Sequence, residues 1–298
     1  MRCRFFICDV FTQTRFGGNQ LAVLPAADEL TAEQMQSVAR EFNFSESTFV
    51  SPSTDRLSRK VRIFTPTSEI PFAGHPNIGT AFVLANDGAF GDIGDGLTVR
   101  FEEGAGPVPI VVKRDPSGQI YTELTAPEPL TLGATVDAGQ LAAILSLKVD
   151  EVVTSTHLPQ VASVGLPFLI VEVASHDALK RARVDAAKLE RLRDAASVAD
   201  VHVYCRSSDE FDLRTRMFAP LAGIPEDPAT GSANCALVAL LTECDSRYES
   251  GGAWRIAQGV EMGRPSILHA RTRREDSVVT TSIGGHSVLV AEGSIEVD

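Results

Sequence analysis

Three side chains in this sequence have the types and settings to move a proton. Glu46 lies in FNFSESTFV (42–50), where apolar residues alternate with small polar ones, so the segment reads as a strand. A carboxylate among Phe42, Phe44 and Phe49 is desolvated, which raises its pKa towards the range useful for proton transfer. The competing reading is a glutamate that faces solvent or caps a turn. His75 sits in FAGHPNIG (72–79) at the start of a helix-like run. The positive end of a helix dipole disfavours a protonated imidazole, so a neutral, hydrogen-bonding histidine fits there. Asp227 sits in EDPATGSA (226–233) directly before Pro228, where it serves equally well as a plain helix N-cap.

These residues need helices to hold them. PNIGTAFVLA (76–85) and GSANCALVALL (231–241) are apolar almost all round, so each must be a buried helix. The first four N–H groups of a helix lack internal partners and carry partial positive charge, so a buried helix start is a ready anion pocket. Gly74 and Gly79, or Gly231, let a ligand come close to the backbone. Pro76 and Pro228 suit first-turn positions.

The two loops occupy matching places in a repeat. RIFTPTSEIP (62–71) and RMFAPLAGIP (216–225) align with Arg62, Phe64, Pro66, Ile70 and Pro71 on Arg216, Phe218, Pro220, Ile224 and Pro225, an offset of 154. The register holds back to Thr31, which falls on Asp185, each opening a helix. Thr31 and Gln34 form a capping box ahead of Met35, Val38, Ala39 and Phe42. A long period present twice predicts two similar lobes, each with a special loop, and a site in the cleft between them. The offset also sets Asp200 opposite Glu46.

Strands are predicted at 97–101, 109–113 and 120–124, the last two joined by the Asp115–Gly118 turn. Further strands are predicted at 253–257, 266–270, 277–283 and 287–292. A buried helix wrapped by many short antiparallel strands is a barrel or half-barrel, giving an α+β fold. Residues 1–127 form the first lobe and 128–298 the second, with the 128–130 stretch as linker and the final strand, about 287–298, returning to the first lobe.

The 298 residues carry a net charge of −12, which argues against nucleic acid as a partner. The basic run Arg271–Arg274 reads as a solvated strand end. No apolar run reaches the length of a membrane span. Five scattered cysteines without CxxC spacing read as reduced, mostly packed thiols of a cytoplasmic protein, and the six dispersed histidines give no metal-ligand pattern.

GGNQLAVL (17–24), SESTF around Glu46, RIFTPTSEIPFAGHPNIGT (62–80), the EDPATGSA loop and QGVEMGRPS (258–266) together resemble the phenazine-biosynthesis PhzF-like isomerases, in order and over most of the chain. The resemblance implies a diaminopimelate-epimerase-like fold of two pseudo-symmetric lobes, each a barrel-like sheet around a central helix. It implies a homodimer that needs neither cofactor nor metal. The family's type reaction isomerises trans-2,3-dihydro-3-hydroxyanthranilate. Carried over by position, Glu46 is the acid/base that takes a proton from C3 and returns one at C1. His75 and Asp227 hold the amine or hydroxyl and assist proton relay. Gly74, Gly231 and Ser232 with neighbouring amides bind the carboxylate, and Asn19 joins the substrate-binding set. Gln20 stands where many relatives carry proline.

The expectation is therefore a cofactor-independent isomerase of a small cyclic amino or carboxylic acid. Two alternatives stand beside it: an amino-acid racemase or epimerase, and a non-catalytic small-anion-binding protein. A two-thiol racemase is disfavoured, because the first loop offers His75 and no cysteine, and Cys235 lies inside the apolar helix.

Overall fold

A computed structural model describes residues 1–196, 200–276 and 278–298. The chain divides into two compact units: residues 1–125 with 284–298, and residues 126–283.

In unit one, Arg2–Val10 lies antiparallel between Asn19–Leu24 and the returning end of Val278–Glu296. Asn19–Leu24 runs parallel to Glu46–Pro52, a crossover made through the helix Ala32–Phe42. That helix opens on the expected capping box, with Thr31 accepting from the Gln34 backbone, and ends on Asn43 in the left-handed conformation. The order continues antiparallel to Ser58–Phe64, parallel to Leu97–Glu103, then antiparallel to Gly106–Arg114 and Ile120–Thr125. Val278–Glu296 pairs with both Arg2–Val10 and Ile120–Thr125, which closes the ring of strands. The helix Gly74–Asn86 is the buried central element, with every residue from Gly74 to Leu84 shielded from water. The strands press so close that a Cβ at Gly79 would stand 2.6 Å from Leu21 and Val10 side-chain atoms.

In unit two, Pro167–Val173 runs antiparallel to Gln160–Ser163 and parallel to Val201–Arg206. Leu213–Ala219 follows antiparallel, then Gly251–Gln258 parallel and Ser266–Glu275 antiparallel. The helix Gly231–Cys244 is buried along nearly its whole length. Leu141, Leu169, Val171, Leu189 and Val203 belong to an apolar cluster beneath the helices of the crossover. The helix Ala186–Ala196 begins at Asp185, whose carboxylate accepts from the Lys188 backbone at 3.1 Å, as the repeat predicts.

Three sequence expectations need correction. The strands predicted at 277–283 and 287–292 are one strand, Val278–Glu296; Ser277 lies outside the described residues. Gly284-Gly285 looks like a turn, but a Cβ at Gly284 would meet Tyr121 Oη at 2.5 Å and the Thr122 carbonyl at 2.8 Å, so the glycine serves close strand packing. Asp227 is not the N-cap: it ends the short strand Ile224–Asp227, and Thr230 occupies the cap position. Pro228 therefore lies before the helix, whereas Pro76 is within the first turn. The Arg271–Arg274 run lies on a strand end, with Arg271 and Arg273 exposed.

Candidate active site

In unit one the residues converge at the start of the central helix. Glu46 opens its strand opposite Leu21, and its side chain is largely buried. The aromatic surroundings expected for it arrange differently. Phe42 stacks on Phe44 and meets Phe5 edge-on, while Phe49 packs against Phe64. What Glu46 faces is His75, the second residue of the helix, with Oε2 3.6 Å from Nε2. His75 is 5% exposed, and burial lowers its pKa to about 3 against an opposing hydrogen bond with the Gln20 backbone. The ring is therefore neutral at neutral pH, and Glu46–His75 is a carboxylate beside an imidazole rather than an ion pair. Asn19 holds the far side of the ring, its Nδ2 3.3 Å from Nδ1, and its Oδ1 accepts from Ser45 at 3.2 Å. His75 Nε2 is left buried with no protein hydrogen-bond partner.

Unit two gathers a different set. Asp227 is buried and its Oδ2 accepts from Thr230 Oγ1. Gly231 and Ser232 are the first two residues of the central helix. Neither central helix has a side-chain cap or an acidic residue in its first turn. The first-turn N–H groups thus meet no anion from their own cap or first turn, which suits a bound carboxylate. Glu46, His75, Asn19 and Gly74 belong to unit one; Asp227, Gly231 and Ser232 belong to unit two.

Sequence reading missed two features. Gln258, fully buried, bonds both Thr230 and the Asp227 carbonyl; its signal was its place at the head of QGVEMGRPS. Glu103, at the end of a strand in unit one, has both carboxyl oxygens buried without a protein hydrogen bond of good geometry, as has Asn77 Oδ1. Burial pushes its pKa to about 8, with Asn77 pulling the other way. Nothing in the local sequence distinguishes it from an ordinary solvated glutamate.

Cys235 is buried within its helix, and desolvation raises its thiol pKa, so it is a packed side chain and not a ready thiolate. Among the described residues no group of three His, Cys, Asp or Glu could hold a metal ion, and no helix is long and apolar enough to cross a membrane.

The family model for phenazine biosynthesis-like protein matches residues 8–293. The chain is 37% identical to an uncharacterized isomerase of Mesorhizobium japonicum, over 98% of each chain. It is 33% identical to the trans-2,3-dihydro-3-hydroxyanthranilate isomerase of Pseudomonas fluorescens, again over 98% of each. Among solved structures, a phenazine biosynthesis protein of the PhzF family from Bacillus anthracis superposes with a TM-score of 0.90 at 24% identity, covering 99% of both chains. That likeness shows the fold, which is the expected α+β, diaminopimelate-epimerase-like one.

Proposed function

The chain belongs to the phenazine biosynthesis-like family of isomerases, and from that premise we propose that it moves a proton on a small cyclic amino or carboxylic acid by general acid/base catalysis. The observation that carries this reading is the buried pairing of Glu46 with a neutral His75 across 3.6 Å. A carboxylate held in a shielded site removes a proton from a carbon that has acquired acidity from an adjoining unsaturated system. In the proposed step Glu46 takes a proton from C3, the double-bond system shifts, and the resulting carboxylic acid, its proton exchanged with solvent, returns one at C1. No net atom is gained or lost, so neither redox nor group transfer is required. His75, uncharged, holds a substrate amine or hydroxyl without repelling it, and Asn19 fixes the ring that does so. Asp227 holds the same class of group, and Gly74, Gly231 and Ser232 with the uncapped helix N–H groups take the carboxylate. Similarity to the Pseudomonas enzyme makes trans-2,3-dihydro-3-hydroxyanthranilate the first compound to offer.

The test is NMR of that compound in D₂O with the native protein and with Glu46→Gln. Conversion with deuterium uptake is expected, falling about 10²–10⁴-fold in the variant, the usual reach of one general acid/base. A folded Glu46→Gln protein that converts at the native rate sinks the assignment of the base. Exchange of an α-proton without isomerisation would instead mark a racemase or epimerase.

A further inference from the structure

Beyond the residues that meet substrate, unit two contains a buried hydrogen-bonded chain that ends on Asp227, and its direction can be read from donor and acceptor chemistry alone. His202 Nε2 lies 3.2 Å from Asn234 Oδ1, an oxygen that can only accept, so the ring proton is on Nε2. Asn234 Nδ2 donates to Gln258 Oε1 at 2.7 Å and to the Thr230 carbonyl at 2.9 Å. The Thr230 backbone N–H donates to the same Gln258 oxygen at 3.2 Å. Gln258 Nε2 then donates to the Asp227 carbonyl at 2.9 Å and to Thr230 Oγ1 at 3.0 Å. Rotating Asn234 by half a turn would set acceptor against acceptor, and rotating Gln258 would set donor against donor, so both orientations are fixed. A threonine hydroxyl has one proton. With Gln258 donating into Thr230 Oγ1, that proton has to go to Asp227 Oδ2.

We propose that Thr230 and Gln258 are positioning residues for Asp227, locking the Thr230 hydroxyl proton onto Oδ2 so that the carboxylate is presented ionised and in one orientation. This rests on the reading of Asp227 as a substrate-holding group. His202, Asn234 and Gln258 are fully buried, so water does not compete along the chain. Two titratable neighbours, Glu226 and His202, do not supply the effect. Glu226 is taken up by both nitrogens of an Arg216 fork at 2.8 and 2.7 Å, and burial keeps His202 neutral, with its pKa lowered to about 4. A hydrogen bond to the charged form of a carboxylate favours that form. Removing the hydroxyl should make Asp227 easier to protonate and free its side chain to turn.

The experiment is a ¹³C NMR titration of protein labelled at aspartate Cγ, with the Asp227 signal identified by its loss in Asp227→Asn. Thr230→Val, which keeps the shape and deletes the hydroxyl, should raise the Asp227 midpoint by about one pH unit, tenfold in ionisation. Thr230→Ser should restore the native midpoint, and Gln258→Leu should raise it by less than Thr230→Val. In parallel, the acid limb of kcat/KM should move with the NMR midpoint. A native midpoint in folded Thr230→Val overturns the proposal, as does an equal shift in Thr230→Val and Thr230→Ser, which would mark packing. If Asp227→Asn turns substrate over at the native rate, the role of Asp227 fails while the titration still decides whether the chain controls its charge.

Discussion

Glu103 in unit one and Gln258 in unit two occupy corresponding places and meet opposite fates. Lys60 pairs with Glu102 across a parallel strand pair, and Arg214, 154 residues on, pairs with Ala257. The next residue along is Glu103 in one unit and Gln258 in the other. The glutamine amide has donors and an acceptor, and every one of its bonds listed above is made. At the matching spot both Glu103 oxygens and Asn77 Oδ1 are buried without a hydrogen bond of good geometry. The same contrast recurs at the hairpins. Arg62 and Arg216 both fork onto a glutamate and lie over a phenylalanine ring, at 5.1 and 4.8 Å. The Arg62 side chain is 38% exposed, Arg216 only 4%. One backbone plan thus supports a solvated or orphaned polar group in unit one and a fully engaged one in unit two.

The largest test of that contrast is Arg216→Met against Arg62→Met. Arg216 also caps the short helix His176–Arg181, giving Nη1 to the carbonyls of Leu179, Lys180 and Ala182 at 2.9–3.2 Å. Its loss strands a half-buried Glu226 and three carbonyls, so about 3–5 kcal/mol should go. Arg62→Met removes an exposed pair and should cost roughly 0–1 kcal/mol. Urea midpoints of both variants give the comparison, and equal losses would break it.

Next comes pH. Glu103 has a folded pKa of about 8 against 4.5 for a free glutamate. Between these values the folded chain holds a proton that the unfolded chain releases, so stability falls as pH rises through that window. Glu103→Gln, which copies the glutamine of unit two, should remove the fall and stabilise the protein above pH 8 by on the order of 3 kcal/mol. His75 works in the other direction. Its folded pKa of about 3 lies below the free value of 6.5, so its contribution is complete above 6.5 and is lost as pH falls towards 3. Thermal melts from pH 5 to 9 should show the alkaline decline flattened in Glu103→Gln; an unchanged slope would mean that Glu103 is not the group responsible.

How far these features were legible in the sequence follows from their range. The capping box at Thr31, the two apolar helices and the offset of 154 are local or periodic signals, and the elements formed where those signals lie. Glu46 and His75 were found because an acid in an alternating strand and a histidine at a glycine-rich helix start each look unusual locally. Their meeting is a product of the parallel pairing Leu21–Glu46, which no local pattern contains. Gln258 and Glu103 were missed for the same reason. Each is an ordinary polar residue at a strand end until another element closes over it. Two strands are predicted at 277–283 and 287–292 where one runs, because Gly284, needed for close strand approach, interrupts the strand pattern between them.

A smaller effect is expected at Gly79, whose counterpart, counted from the first residue of each central helix, is Ala236, a buried alanine. Gly79→Ala gains about 1 kcal/mol of helix propensity. The new Cβ would meet Leu21 and Val10 at 2.6 Å, and overpacking of this kind costs roughly 1–3 kcal/mol. A net loss of about 1 kcal/mol in chemical denaturation is expected, where a surface helix would have gained. A net gain would show that the strands can give way, and that the closeness at Gly79 is not a constraint.

The smallest net effect is expected when both members of the polar pair between the central helix and its strand are changed together. Thr48 and Thr80 bond each other at 2.7 Å in unit one; in unit two His202, the strand counterpart of Thr48, instead bonds Asn234, which lies nearer the start of its helix, at 3.2 Å. The threonine pair is buried, so Thr48→Val or Thr80→Val alone should cost about 1–2 kcal/mol, because the remaining hydroxyl keeps its desolvation penalty and loses its partner. Changing both to valine removes the penalty with the bond and preserves the shape, so the double variant should return to within about 0.5 kcal/mol of the native protein. Unit two does not permit that restoration. Asn234 also bonds the Thr230 carbonyl and Gln258, so an apolar pair at 202 and 234 would leave those groups stranded. A double-mutant cycle by urea denaturation reads the coupling directly. If the two valines add their losses instead of cancelling, the Thr48–Thr80 bond is tied into further partners as the His202–Asn234 bond is.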